Sequence, residues 1–302
     1  MTHEQPAATD PVRRRRRRAF WVLWFALPAT SMVGVFFLIP QLLNLRFAFS
    51  NWRSTSSSIT FNGLDNLVYL DESGELWHGI GVTLMYAVIA MVVQNVVSLL
   101  LAYALRETTR LNSAYRTIFF IPVLLSPVAA GYVWRGLLAP DGPINQLIGV
   151  VVPGFDWAWL GEPSTALFCV AFIDAWKWIG LTTLIYIAGM NLVSPEMIEA
   201  STLDGANAWQ RFRHMIFPML APAFTYNTVV NLVAAFSAYD VIQATTAGGP
   251  GDATRAINIY LRLEWGQGNF GAGSALSLVV TVLVIAAAIP LIWILRRREV
   301  AQ

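Results

Sequence analysis

Six long stretches of this chain are apolar and almost free of charged residues, and this pattern excludes an ordinary soluble fold. The stretches are residues 19–45, 76–105, 117–134, 163–190, 214–239 and 265–295. A helix needs about 20 such residues to cross the hydrocarbon core of a bilayer, and backbone amides in lipid must pair within their own segment. The sequence therefore predicts an all-α polytopic membrane protein with six transmembrane helices.

The composition excludes several classes of function. The chain is 56% hydrophobic and 13% charged, and its 20 basic and 18 acidic residues nearly cancel, so net charge does not indicate nucleic acid as a partner. The single cysteine, Cys169, excludes an internal disulfide and a cysteine-based metal cluster. The three histidines are too scattered for a metal site, and no Ser/His/Asp constellation can form on one side of the membrane. We therefore predict no catalytic residue, no metal site and no cofactor in this chain.

The arginines predict the orientation of the spans, because cytoplasmic loops carry an excess of Lys and Arg. With both termini cytoplasmic, fourteen arginines lie in inner segments and five in outer segments. We therefore predict cytoplasmic termini, a disordered basic tail over residues 1–18, a transmembrane domain over 19–298 and a cytoplasmic tail over 299–302. The run of six arginines at 13–18 either anchors the chain at the anionic inner leaflet or has a nucleic-acid or regulatory role.

A polar patch at residues 199–218 separates the fourth and fifth apolar stretches. It contains Glu199 and Ala200, then Gly205 six residues after the glutamate, then Pro218 thirteen residues further on. This patch resembles the coupling loop of ABC-importer permeases, which reads Glu-Ala-Ala, three residues, Gly, nine residues, Ile, one residue, Leu-Pro. The departures from that pattern are Ser201 for the second Ala, Met215 for Ile and Phe217 for Leu. A generic amphipathic loop is the alternative interpretation.

The resemblance covers nearly all of residues 20–295 and is closest to the carbohydrate-uptake permeases, although the loops before residue 115 match only in outline. Its further motifs are Trp176-Lys177-Trp178-Ile179-Gly180, Ser194-Pro195-Glu196, Thr246-Ala247-Gly248-Gly249-Pro250-Gly251, Tyr260 and Phe270-Gly271-Ala272-Gly273-Ser274-Ala275. The resemblance implies the type I ABC-importer permease fold in a bacterial inner membrane. It also implies that residues from about 191 to 217 form two short cytoplasmic helices that dock on a separate ATPase.

The partners implied by the resemblance are a second similar permease, two ATPase subunits and an extracytoplasmic solute-binding protein. ATP and Mg²⁺ would bind to the ATPase subunits. The run Gly248-Gly249-Pro250-Gly251 is not a Walker A sequence, because no Lys-Ser/Thr follows it, and no such motif occurs elsewhere in the sequence. We therefore expect ATP hydrolysis in a partner subunit.

Two residues of the coupling loop have backbone roles that their chemistry predicts. Gly205 allows the chain to turn between the two short helices, where a side chain would clash or force a positive φ. Pro218 cannot continue a helix without losing a hydrogen bond, so it suits the start of the fifth span.

The remaining loop residues predict contact with the ATPase. Ala200 and Ala206 are small and permit close docking, and Ser201 is small enough to keep that packing. Glu199 and Asp204 offer negative charge to basic groups on the ATPase, or else they form a solvated cytoplasmic face.

Charged residues in the fourth span mark a second candidate site. Asp174 and Lys177 are three residues apart, so they share one helix face and can pair. An ionisable group in a membrane helix is costly and faces a cavity or a partner. The alternatives are a structural ion pair with Lys177 reaching the interface, or a substrate path lined by Asp174.

The resemblance places Asp174 and Trp178 on the sugar-contacting helix and places Asn231 of the fifth span at a sugar contact. A carboxylate that accepts bonds from hydroxyls and an indole that stacks on a sugar face suit carbohydrate recognition. A charged substrate such as a glycerol phosphate would instead favour Lys177. We interpret Gln94 and Asn95 as groups that hydrogen-bond between helices, and Asn227 as such a group or as a ligand contact.

Two functions follow from these features. The first is the transmembrane subunit of a binding-protein-dependent, ATP-driven importer for an oligosaccharide or related sugar. The alternative is an ion-coupled secondary transporter that acts without an ATPase. Such transporters need intramembrane carboxylate relays and repeated broken helices, and Asp174 is the one candidate relay group. An intramembrane enzyme lacks a catalytic constellation.

Overall fold

The computed structural model describes residues 24–300, and this part of the chain is helical with one isolated β-bridge between Ser50 and Phe61. The helices are α1 (Trp24–Ala48), α2 (Asp65–Glu72), α3 (Glu75–Ala104), α4 (Arg110–Leu124), α5 (Pro127–Leu137), α6 (Pro143–Gly149), α7 (Pro163–Met190), α8 (Pro195–Leu203), α9 (Ala208–Met219), α10 (Ala221–Phe236), α11 (Asp240–Thr245), α12 (Ile257–Gly266) and α13 (Phe270–Val300). The predicted basic tail at 1–18 and the end of the predicted C-terminal tail lie outside the described residues.

Four of these helices are long and apolar enough to cross a membrane without a break, namely α1, α3, α7 and α13. The spans predicted at 76–105 and 163–190 match α3 and α7 to within one residue at each end. The all-α polytopic class is confirmed, because residues 24–300 contain up to six spans when each of two bent helix pairs counts as one.

The third and fifth predicted spans are not continuous helices, and this corrects the sequence-based expectation. The α4–α5 pair bends by 103° and the α9–α10 pair by 69°. Ser126 breaks the first pair, because its hydroxyl caps α5 by accepting the amide of Ala129 and Pro127 follows as the first helical residue. Pro222 lies in the first turn of α10 and has no amide hydrogen to continue the helix from α9.

The core lies where α3, α7 and α10 pack together. Tyr86 of α3, Ile173 of α7 and Phe236 of α10 are all almost completely buried there. A second close contact joins α7 to α4 at Gly180, where a Cβ atom would overlap the carbonyl group of Phe119. These contacts fix the positions of the three helices that surround the cavity described below.

Arg116 of α4 holds the turn that follows α3. Its guanidinium donates hydrogen bonds to the carbonyl oxygens of Leu105 and Arg106, at 3.0 Å each, and of Glu107 at 3.2 Å. Carbonyl groups at the end of a helix lack partners within the helix, so the arginine supplies the donors that they need. The second and third spans are therefore joined through both the chain and this side chain.

Candidate functional site

A cavity of about 150 Å³ lies between α3, α7 and α10. The side chains on its wall that carry a polar atom are Gln94, Asp174, Trp178, Thr182, Tyr226, Asn227 and Asn231. The structure thus brings together Asp174, Trp178 and Asn231, three residues that the sequence analysis assigned to a substrate path. Their roles in transport stay a prediction.

Asp174 is held in place by a tyrosine from the facing helix. The hydroxyl of Tyr86, which is completely buried, donates to Oδ2 of Asp174 at 2.8 Å. A carboxylate has about four lone-pair sites, so this bond leaves Asp174 able to accept hydrogen bonds from a second donor. Tyr86 therefore orients the carboxylate without using up its capacity as an acceptor.

Lys177 does not share the cavity with Asp174. The side chain is 2% exposed, and its ammonium group lies 3.7 Å from the centroid of the Trp178 ring. The ion pair that the three-residue spacing allows is not formed, since Arg255–Asp252 is the only ion pair among the side chains that the structure describes. The face of an indole attracts a cation by its quadrupole, which gives the buried ammonium an alternative partner. Trp178, by contrast, contributes to the cavity wall.

Asn231 offers the cavity an unpaired donor. Its Oδ1 accepts from Nε2 of Gln94 at 3.0 Å, whereas its Nδ2 is buried and has no hydrogen-bond partner. The residue is 8% exposed. A buried amide without a partner is costly, so a hydroxyl in the cavity would satisfy it.

The other amide groups link helices, as the sequence predicts. Gln94 also donates to the Thr182 hydroxyl at 2.8 Å, Asn227 donates to the Thr182 carbonyl at 3.4 Å, and Asn95 accepts from Tyr186 at 2.6 Å. The sequence analysis did not place Gln94 on the cavity wall.

Tyr226 is a cavity residue that the sequence analysis missed. The spacing of Tyr226, Asn227, Val230, Asn231 and Ala234 places them on one helix face and could have revealed it. The tyrosine is 56% exposed, so its hydroxyl and ring are accessible at the wall of the cavity.

The polar patch forms two short helices, α8 and α9, joined by a tight turn. Gly205 has φ +80°, and its amide donates to the carbonyl of Thr202, while the amide of Ala206 donates to Ser201. These two bonds are the Schellman motif that ends many helices. The expected positive φ is present, but the expected clash is not, because no atom lies within 4 Å of a Cβ built at Gly205.

The second short helix begins with its own cap and is tied to the first. Asn207 and Gln210 form a reciprocal capping box, with bonds of 2.9 and 2.8 Å. Arg211 then donates to the Thr202 hydroxyl at 2.9 Å and to the Ala206 carbonyl at 3.3 Å. The two helices therefore form one hydrogen-bonded unit.

The predicted ATPase-coupling residues divide by exposure. Those that are exposed are Glu199, Ala200, Asp204 and Gly205, and those that are half-buried are Ser201, Ala206 and Pro218. Leu203 and Trp209, which the sequence analysis did not single out, add apolar surface because they are 89% and 64% exposed. At the start of α8, a hydrogen bond from the side chain of Ser194 lowers the pKa of Glu196.

Pro218 does not start the fifth span. The chain remains helical from Ala208 to Met219, and α10 begins at Ala221, three residues after the proline. The prolyl ring is instead accommodated in the first turn after a π-helical segment at Phe212–Ile216, where a backbone amide donor is not required.

The loop joins the two helices that carry the candidate substrate groups. Asp174 and Trp178 lie on α7, which is separated from α8 by four residues, and Asn231 lies on α10, which is separated from α9 by one residue. A displacement of the α8–α9 unit would therefore act on both walls of the cavity through short connections.

Residues 94–298 match the family model described as the inner membrane component of binding-protein-dependent transport systems. The chain belongs to this family. The matched region includes every polar residue of the cavity wall, the α8–α9 unit and nearly all of the last span. Membership confirms the resemblance inferred from the coupling-loop pattern. This permease is accordingly a multi-pass inner-membrane protein, and the family does not favour the ion-coupled alternative.

Two curated relatives align with almost the whole permease. One, a probable starch degradation products transport permease of Thermoanaerobacterium thermosulfurigenes, is 29% identical over 94% of this chain and 97% of its own length. The other, a probable ABC transporter permease of Sinorhizobium fredii, is 31% identical over 97% of this chain and 96% of its own length.

A solved structure shows the same fold. It is the crystal structure of a bacterial ABC transporter that imports the acidic polysaccharide alginate, and one of its chains is similar to this permease with a TM-score of 0.81. The alignment covers 95% of this chain and 99% of that chain at 20% identity. The predicted ABC-importer permease fold is thereby confirmed.

Proposed function

We propose that this permease is the transmembrane subunit of an ATP-driven importer that carries an uncharged oligosaccharide or related sugar through the cavity between α3, α7 and α10. The observation that carries the proposal is the convergence of Asp174, Trp178 and Asn231 on this cavity. They supply a hydrogen-bond acceptor, an aromatic face and an unpaired donor, which together match the hydroxyls and the apolar face of a sugar ring.

The position of Lys177 supports an uncharged substrate. Its ammonium group is stacked on Trp178 and does not reach the cavity wall, whereas the Asp174 carboxylate does. A cavity with this charge repels a phosphate or a uronate, so we expect neutral sugars to be preferred over glycerol phosphates and acidic polysaccharides. The relative from Thermoanaerobacterium, named for starch degradation products, agrees with this preference.

Alanine at Asp174, Trp178 or Asn231 should reduce uptake of the neutral sugar by about tenfold to a hundredfold, as expected for the loss of a hydrogen bond to a charged group or of a stacked ring. Uptake of labelled sugars into cells or vesicles would measure this effect, with the amount of assembled complex determined in parallel. Asp141→Ala, which removes an exposed carboxylate, is the matched control. If all three alanine variants transport every tested sugar at the wild-type rate, the substrate path lies elsewhere.

We further propose that both termini and the α8–α9 unit face the cytoplasm, where the unit docks on an ATPase that binds ATP and Mg²⁺. The excess of arginines in the inner segments supports this orientation. Exposed Glu199 and Asp204 would meet basic groups of the ATPase, and small Ala200 and half-buried Ser201 and Ala206 would allow close approach. Closure of the ATPase pair would then move α7 and α10 between two states and alternate access to the cavity.

The size of the cavity supports a second permease as partner. Ligand pockets typically enclose about 300–1,000 Å³, and this cavity encloses about 150 Å³. We expect the rest of the path to come from a second, related chain, and a solute-binding protein to deliver the sugar from outside.

Affinity purification of this permease should therefore yield an active complex that contains a second permease, as measured by mass spectrometry and by transport in proteoliposomes. Tagged variants of the α8–α9 unit that do not bind the ATPase should still recover the second permease. They are the control that separates pairing between the two permeases from binding of the ATPase. An active homodimer of this chain with the ATPase alone would contradict the pairing.

A further inference from the structure

Two glutamates from different helices meet at the end of the bundle opposite the α8–α9 unit. Glu264 of α12 is 2% exposed. The helices α3 and α12 cross here in opposite directions, and a Cβ built at Gly79 would lie 3.1 Å from the Tyr260 ring. Glu75, the first residue of α3, lies one turn before Gly79 and is therefore next to Glu264, one turn after Tyr260. Tyr69 of α2 donates its hydroxyl to Oε1 of Glu264 at 3.4 Å. Three helices thus contribute to one buried acidic contact.

This contact lacks one hydrogen-bond donor. Oε2 of Glu264 and Oε2 of Glu75 are both buried, and neither has a hydrogen-bond partner. Ionised carboxylates only accept hydrogen bonds, so two of them cannot bond to each other, whereas a protonated carboxyl donates to a carboxylate. A single proton would supply the donor that both orphaned oxygens need.

The charged and titratable neighbours do not replace that proton. Arg255, in the segment before α12, pairs with Asp252 at 2.7 Å and lies 5.5 Å from the centre of the Tyr260 ring. Its Nε is buried and has no hydrogen-bond partner, so it donates to neither glutamate. His78 of α3 binds the carbonyl of Asp252 at 2.9 Å, and Arg53 is exposed in the segment after α1.

Tyr69 stays a neutral donor in this environment. Burial, together with the charges of Glu264 and Glu75, raises the pKa of Tyr69 above its ordinary value. Its single hydroxyl hydrogen is already directed at Glu264. The second oxygen of each glutamate therefore still lacks a donor.

We propose that Glu75 and Glu264 form a proton-binding site, in which one shared proton joins the first turn of α3 to α12. A metal ion is a poorer fit, because no group of three or more His, Cys, Asp or Glu comes together among the side chains that the structure describes. This site is independent of the transport function proposed above, since it depends only on contacts among α2, α3 and α12.

The sign of the pH effect follows from the charges. With the proton bound, the pair carries one negative charge and a hydrogen bond. As pH rises the proton leaves, and two buried like charges repel each other across the contact. The α3–α12 contact is therefore strongest at acidic pH and weakens as pH increases above the ordinary range of glutamate, which is centred at about 4.3.

Infrared spectroscopy of the complex in lipid tests the proton directly, because a protonated carboxylic acid has a carbonyl stretch separate from that of carboxylates. We expect such a band to persist above the ordinary glutamate range in the wild type, to be lost as the pH rises further, and to be absent at the same pH in both Glu264→Gln and Glu75→Gln. Glu72→Gln, which changes an exposed glutamate at the end of α2, should keep the band. A wild type without this band, or a band unaffected by Glu264→Gln, would overturn the proposal.

Thermal unfolding provides a second readout that does not depend on spectral assignment. Between about pH 5 and pH 9, a range above the ordinary glutamate pKa, the Tm of the wild type should fall more than that of Glu264→Gln, whose amide donates at every pH. Identical pH profiles would contradict a shared proton. Stabilisation of the wild type, but not of Glu264→Gln, by Na⁺ or Ca²⁺ at alkaline pH would identify a cation site and also overturn the proposal.

Discussion

Gly205→Pro is expected to abolish ATP-driven uptake while the amount of protein in the membrane stays near that of the wild type. Proline fixes φ near −65°, whereas the residue at this position has φ +80°. The substitution also removes the amide that donates to Thr202. The turn between α8 and α9 is lost, and with it the surface proposed to transmit ATPase closure. Uptake and transport-stimulated ATP hydrolysis in proteoliposomes measure the effect.

Three comparison variants separate coupling from general damage. Gly154→Pro introduces a proline at a position with φ +77°, which proline cannot adopt, in an exposed segment before α7. We expect ATP hydrolysis to remain coupled to uptake in this variant. Gly205→Ala should cost only about 1–2 kcal/mol in the turn, since a Cβ there meets no neighbour. Glu199→Lys leaves the turn intact and should also abolish uptake by inverting the exposed charge. Wild-type uptake by Gly205→Pro, or loss of solute-binding protein affinity in it, would refute the coupling role.

Gly180→Ala should greatly reduce the amount of folded permease. The added Cβ would overlap the carbonyl group of Phe119 and the Cα atom of Phe120, so backbone atoms of α4 block it. Overpacking destabilises a fold by about 1–3 kcal/mol where side chains can adjust. Because backbone atoms of a helix cannot move aside as side chains do, we expect Gly180→Ala to destabilise the fold by an amount at or above the upper end of that range. Membrane yield and the Tm of the purified complex are the measurements.

Gly81→Ala is the control for this packing effect, because Gly81 also lies in a membrane-spanning helix but an added Cβ there would have no atom within 4 Å. We expect this control to retain wild-type yield and Tm. Equal yields for Gly180→Ala and Gly81→Ala would show that α7 and α4 can separate without loss of the fold.

Hydropathy predicts the straight spans well because it averages over many side chains. The boundaries of α3 and α7 follow from long apolar runs, and neither run contains a proline after its first turn. The bends at Ser126 and Leu220 were missed because each lies inside an apolar stretch. Pro127 and Pro222 were the available signals, and the preference of proline for the first turn of a helix gives their physical meaning.

The candidate site shows a different limit. Helical spacing is enough to place Asp174 and Trp178 on one face, but Asn231 came from the resemblance, since spacing within one helix says nothing about which helices face each other. Lys177 was expected to pair with Asp174 or to serve the substrate path. It does not pair with Asp174, because its ammonium group lies against the indole of Trp178, and its role in the substrate path stays a prediction. The choice between two partners of one flexible side chain depends on tertiary packing that a single sequence does not reveal.

The bonds of Arg116 to the turn after α3 bear on how the chain enters the membrane during synthesis. The second and third spans are separated by only a few residues, and the arginine donates hydrogen bonds to the carbonyl groups of that turn. Two spans linked in this way can leave the translocation channel as a preformed hairpin rather than one by one. The same positive charge resists transfer across the bilayer. With the orientation proposed above, we expect Arg116 also to keep the turn of the hairpin on the cytoplasmic side, where the chain is synthesised.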